Sequence, residues 1–123
     1  MRKNIKEIIW LGKTKKDLKS MPIEIVDAVG FALYQAQIGM RADNTKVLKG
    51  FNGAGVLEVI ESDHAGTYRA VYTLKFGNEI YILHCFQKKS KSGIATPKED
   101  MDIIKKRLKE AEKISKQFLE DLK

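Results

Sequence analysis

From Val56 to Gln87 the chain reads as three consecutive strands with almost nothing between them. Val56 to Glu61 is the first. Thr67 to Phe76 is the second, alternating Tyr68, Ala70, Tyr72, Leu74 and Phe76 against Thr67, Arg69, Val71, Thr73 and Lys75. Ile80 to Gln87 is the third, and Ser62-Asp63-His64-Ala65-Gly66 and Gly77-Asn78 are the turns. A parallel pair needs a crossover of a dozen or more residues, so connections this short impose an antiparallel meander. Period-two alternation then assigns faces. Arg69 lies opposite Tyr68, Ala70 and Tyr72; His84 is expected beside Ile80, Ile82 and Phe86, and Cys85 beside Tyr81 and Leu83. On that reading His84 is a satisfied core or edge histidine, His64 is an exposed turn residue and Cys85 is a buried, inert thiol.

Helices flank the meander. Ile8, Ile9 and Trp10 form a short apolar run within residues 6–11, a further strand, and Thr14 precedes a short polar helix over 15–19. Ser20-Met21-Pro22 opens a longer helix from Ile23 to Ile38, which Gly39 stops. Its apolar residues fall in two neighbouring stripes: Ile23, Val26, Gly30, Leu33 and Gln37, then Ile25, Ala28, Val29, Ala32 and Ala36. Residues 39–55, broken by four glycines and Asp43-Asn44, read as a long connection. Thr96-Pro97-Lys98-Glu99 reads as a capping box in which the Thr96 hydroxyl serves the Glu99 N–H, opening a helix with Met101, Ile104, Leu108, Ala111 and Phe118 on its core stripe. The sum is one α+β domain over residues 1–123: a small antiparallel sheet packed by N-terminal helices and a C-terminal amphipathic helix.

A chain of 123 residues buries roughly two thirds of its unfolded surface and needs no staple. Its formal net charge of +7 points to a polyanionic partner. Cys85 is the only cysteine, no apolar leader follows Met1, and no apolar run is long enough to span a bilayer. Those features fit a cytoplasmic protein with no membrane association. Two histidines and one cysteine at scattered positions offer no metal-site spacing, and neither metal nor cofactor is expected. Glycine-rich phosphate loops, nucleophile elbows and paired-acid signatures are absent from the sequence.

The stretch Tyr81 to Lys91 carries the chemistry. An apolar strand delivers Lys88, Lys89 and Lys91 to its end, and Arg69 on the neighbouring strand can meet them on one rim. Cleavage of RNA by its own 2′-OH needs little more. A guanidinium stabilises the charge developing on phosphorus, and a lysine among other cations can move the proton, with Lys88 and Lys89 as candidates. The plainer alternative pairs Arg69 with a carboxylate such as Glu58 or Glu61 and leaves the lysines in a solvated loop.

Val47-Leu48-Lys49-Gly50, Gly55-Val56-Leu57-Glu58, Thr67-Tyr68-Arg69-Ala70-Val71-Tyr72, Leu83-His84-Cys85-Phe86-Gln87-Lys88-Lys89 and Thr96-Pro97 occur in that order. The ordered set, over roughly residues 20–110, resembles the HigB-like branch of the RelE/ParE toxin superfamily and its phage-derived relatives. The resemblance implies a RelE-like fold and a toxin encoded beside a helix-turn-helix, HigA-like antitoxin. It implies a ribosome-dependent mRNA interferase that works without metal. By the same resemblance Arg69, Lys88 and Lys89 are catalytic, and Lys49, Tyr72, Gln87 and Lys91 contact RNA. The chain departs from many relatives at Ile60, where they carry an arginine. Two other outcomes stay open: a ParE-like inhibitor of DNA gyrase, and a degenerate phage module that only binds RNA or protein.

Overall fold

The computed structural model describes residues 5–53, 55–88 and 95–123. Strand β1 (Ile8–Trp10) leads into helices α1 (Thr14–Lys19) and α2 (Ile23–Gln37). Strands β2 (Thr45–Val47), β3 (Val56–Asp63), β4 (Gly66–Thr73) and β5 (Ile80–Lys88) follow, then helix α3 (Lys98–Asp121). One five-stranded sheet results, in the order β1-β5-β4-β3-β2. The β3-β4-β5 meander is antiparallel as its turns require. The sheet as a whole is mixed, because β1 lies parallel to β5, pairing Ile8 with Ile80 and Trp10 with Ile82. The expectation of an all-antiparallel sheet is corrected there: the connection from β1 to β5 runs through α1, α2 and strands β2 to β4, ample length for the crossover that a parallel pair needs.

Residues 39–55 are not merely a connection. Thr45–Val47 forms β2, placing Lys46 opposite Glu58 of β3. Three residues are too few for periodicity to reveal, and the glycines around them mask the strand. The turn between β3 and β4 is tighter than expected, with Asp63 paired to Gly66. Gly66 adopts φ 143°, a conformation that a Cβ disfavours. The Asp63 carboxylate accepts the Ala65 N–H at 2.8 Å.

Both sheet faces are covered. On one, Ile25, Val29, Ala32, Leu33 and Ala36 of α2 bury against Leu57, Val59, Ala70 and Tyr72. The packed face is the second of the two expected stripes joined by Leu33 of the first, whereas Ile23 is 66% exposed. On the other face, Ile104 and Ala111 of α3 pack on Val56, Val71, Tyr81 and Leu83. Here the expected stripe drifts: Ser115 is buried, and Phe118 is exposed. Ser115 lies against the Gly77 turn, where a helix must come close.

A β-bulge reassigns the faces of β5. Val71 pairs with His84 but Tyr72 pairs with Ile82, so Leu83 has no opposite number. Beyond that point every side chain has changed sides relative to strict alternation. Cys85 packs with Ile80 and Ile82 under α2, while His84 and Phe86 join the α3 side with Tyr81 and Leu83. The alternation expected for His84 and Cys85 is thus overturned by one extra residue. The Leu83 carbonyl accepts a hydrogen bond from Arg107 Nη1 of α3 at 3.0 Å. No helix among the described residues is long and apolar enough to cross a membrane.

Candidate functional site

Arg69 projects from β4 onto the α3 face, opposite Ile60 of β3 and Phe86 of β5. Glu58 stands on the same face one pleat along β3, paired with Val71. That diagonal suits a long side chain reaching a short one. Arg69 Nη1 donates to Glu58 Oε2 at 3.0 Å, and the two side chains are 4% and 0% exposed. Thr96 closes a triangle. Its hydroxyl accepts from Arg69 Nη1 at 3.4 Å and donates to Glu58 Oε2 at 3.2 Å. Removing the arginine strands the carboxylate in the interior.

Thr96 does not cap α3, as the capping-box reading expected. Pro97 holds the N-cap position with no side-chain cap bond, and the threonine hydroxyl is committed to the sheet instead. The Met101 N–H bonds to the Pro97 carbonyl at 2.9 Å, so the first turn closes on its own backbone.

Lys88 shares this face, paired with Thr67 at the end of β5. It is 8% exposed, and its Nζ donates to the Ala95 carbonyl at 2.8 Å. The head groups of Arg69 and Lys88 therefore engage adjacent residues, Thr96 and Ala95. Lys89 and Lys91 lie outside the described residues. Lys49 is exposed and lines a cleft beside Glu58 and Thr96.

Tyr72 and Gln87 are not brought to the same place. Tyr72 is 1% exposed on the α2 side, where burial raises the pKa of its phenol and the Arg41 charge partly offsets the rise. Gln87 is paired with Tyr68 and donates to the Ala65 carbonyl at 3.2 Å. Both alternate away from Arg69 and Lys88.

His84 is satisfied at one ring nitrogen only, short of the expectation, because its Nδ1 is buried without a hydrogen-bond partner among the described residues. Its Nε2 lies 2.7 Å from Asp100 Oδ1, and its ring stacks on Phe86 with centroids 4.6 Å apart. Asp100 belongs to the first turn of α3, so this contact fastens the helix start to β5.

The cleft has a volume of about 370 Å³, within the range of small-molecule sites. Val47, Leu48 and Met101 form apolar walls, and Glu58 and Thr96 lie between them. Lys46 and Lys49, both exposed, bring two positive charges to its edge. The Glu58 Oε1 atom is buried without a hydrogen-bond partner among the described residues. Lys46 went unnoticed in the sequence because it sits on the unseen strand β2, and Thr96 because it read as a cap. Among the described residues no group of three or more His, Cys, Asp or Glu side chains is placed to hold a metal ion.

A family model described as phage derived protein Gp49-like (DUF891) matches residues 16–109, a span that contains Lys46, Lys49, Glu58, Arg69, Lys88 and Thr96. No curated protein matches the chain.

Proposed function

Because the chain belongs to the phage-derived Gp49-like family, which is RelE-like and often toxin-like, we propose that it is the toxin of a toxin–antitoxin pair and acts on RNA. The observation that carries this reading is the meeting of Arg69 and Lys88 at Ala95–Thr96, beside a cleft edged by Lys46 and Lys49. The proposed reaction is ribosome-dependent cleavage of mRNA. The 2′-OH attacks the adjacent phosphorus in line, the P–O5′ bond breaks, and a 2′,3′-cyclic phosphate and a 5′-OH result. Arg69 stabilises the charge on the phosphoryl oxygens, and Lys88 or Lys89 holds the phosphate or moves the proton. RNA must displace Thr96 from the guanidinium, so the Ala95–Thr96 segment acts as a cover over the cations. The toxin is proposed to work in the cytoplasm, on a RelE-like fold, with a helix-turn-helix antitoxin as its partner.

One observation favours a second reading. Arg69 is buried and paired with Glu58, which suits a structural clamp in a molecule that inhibits through protein contacts, as gyrase-directed ParE-like toxins do. Induced expression separates the two. Growth arrest with new mRNA 5′ ends at codon positions inside ribosomes is the expected result, and an Arg69→Ala, Glu58→Gln double variant, which leaves no stranded carboxylate, should remove both. Growth arrest with intact mRNA and a DNA-damage response overturns the nuclease reading in favour of gyrase.

A further inference from the structure

We infer that the cleft between β2, β3 and the start of α3 is a nucleobase slot, selective for bases that carry an exocyclic amino group. The inference rests on the proposed action on RNA and adds what part of the RNA this surface reads. Three features argue for it. The walls formed by Val47, Leu48 and Met101 are apolar, as a flat aromatic base requires. The edge carries Lys46 and Lys49, placed to neutralise the phosphates on either side of an inserted base. Between them stands Glu58, fully buried, with one carboxylate oxygen engaged by Arg69 and Thr96 and the other without a partner among the described residues.

That second oxygen decides the chemistry. A buried carboxylate oxygen lacking a donor is costly, and a ligand N–H that reaches it recovers the loss. Adenine, cytosine and guanine each offer an amino group. Uracil offers only an N–H flanked by two carbonyl oxygens, which a carboxylate repels. Single-stranded RNA is commonly read in this way, by splayed bases whose edges are hydrogen-bonded while their faces rest on side chains. Since Glu58 Oε1 exposes less than 1 Å², the walls must part slightly as a base enters. Met101, unbranched and half-buried, is the wall suited to yield.

The test is fluorescence-anisotropy titration of the full chain with short oligo(A), oligo(C) and oligo(U) at two salt concentrations. Oligo(A) and oligo(C) should bind about tenfold more tightly than oligo(U), the discrimination expected of one good polar contact to a base edge. Glu58→Gln should close that gap. Met101→Trp, which fills the slot without touching the Arg69–Glu58 pair, should do the same if Glu58→Gln fails to fold. Equal affinity for all three oligonucleotides, with a salt slope that depends on Lys46 and Lys49, overturns the slot and leaves the action on RNA standing. Absence of binding to any oligonucleotide overturns the slot alone, and the action on RNA is then decided by the mRNA 5′ ends in induced cells.

Discussion

Arg69 and Glu58 set the energetic terms of the site before any ligand arrives. Without Arg69 the buried Glu58 carboxylate would be an uncompensated charge. Arg69→Ala should therefore destabilise the protein by about 3–5 kcal/mol, while replacing both residues with apolar side chains of similar volume should cost far less. Urea unfolding of the two single variants and the double variant measures this directly. A loss of toxicity in Arg69→Ala alone would report folding as readily as chemistry. Cys85 gives a second prediction. Burial pushes its thiol from 9.0 up to about 12, with Asp17 adding to the rise and Arg107 opposing it. The native protein should stay unmodified by a thiol reagent at pH 8 and react only once unfolded. The linkage follows in sign: the stabilising effect of the raised pKa is complete below pH 9 and is lost as pH climbs toward about 12, where the folded thiol also ionises.

At the level of elements, the bulge at Leu83 is a packing device with a named fastener. It turns His84 and Phe86 toward α3, and Arg107 takes the carbonyl that the bulge leaves over. Arg107→Ala should cost about 1–3 kcal/mol, seen as a lower urea midpoint with an unchanged m-value. The bulge also marks where the sequence stops being readable. The three-strand meander, α2 and α3 were legible because each is long and its pattern repeats. A single unpaired residue within an apolar run leaves no compositional trace, so the faces of His84 and Cys85 came out reversed. β2 was illegible for a different reason: three residues carry no period. The site shows the same division. Arg69 and Lys88 stood out as cations on neighbouring strands, Lys49 came in only with the family resemblance, and Glu58 was one of two carboxylates open to Arg69. Thr96 was misread because a threonine before Pro97 satisfies the local rule for a cap, while the tertiary contact that claims its hydroxyl lies 38 residues away in sequence.

For the molecule as a whole, a formal charge of +7 makes affinity for RNA steeply dependent on salt. Replacing Lys46 and Lys49 together by alanine should reduce the slope of log K against log salt by about 1.4, two single-strand phosphates' worth, and weaken all sequences alike. Thr96, finally, is held by the sheet through Arg69 and Glu58 and directly precedes the opening turn of α3. Whatever takes the guanidinium away from that hydroxyl removes one tie at the root of the last helix, beside those through Glu58 and Asp100. Occupancy and helix anchorage become one equilibrium, and amide exchange in the opening turn of α3 should quicken when the oligonucleotide is bound.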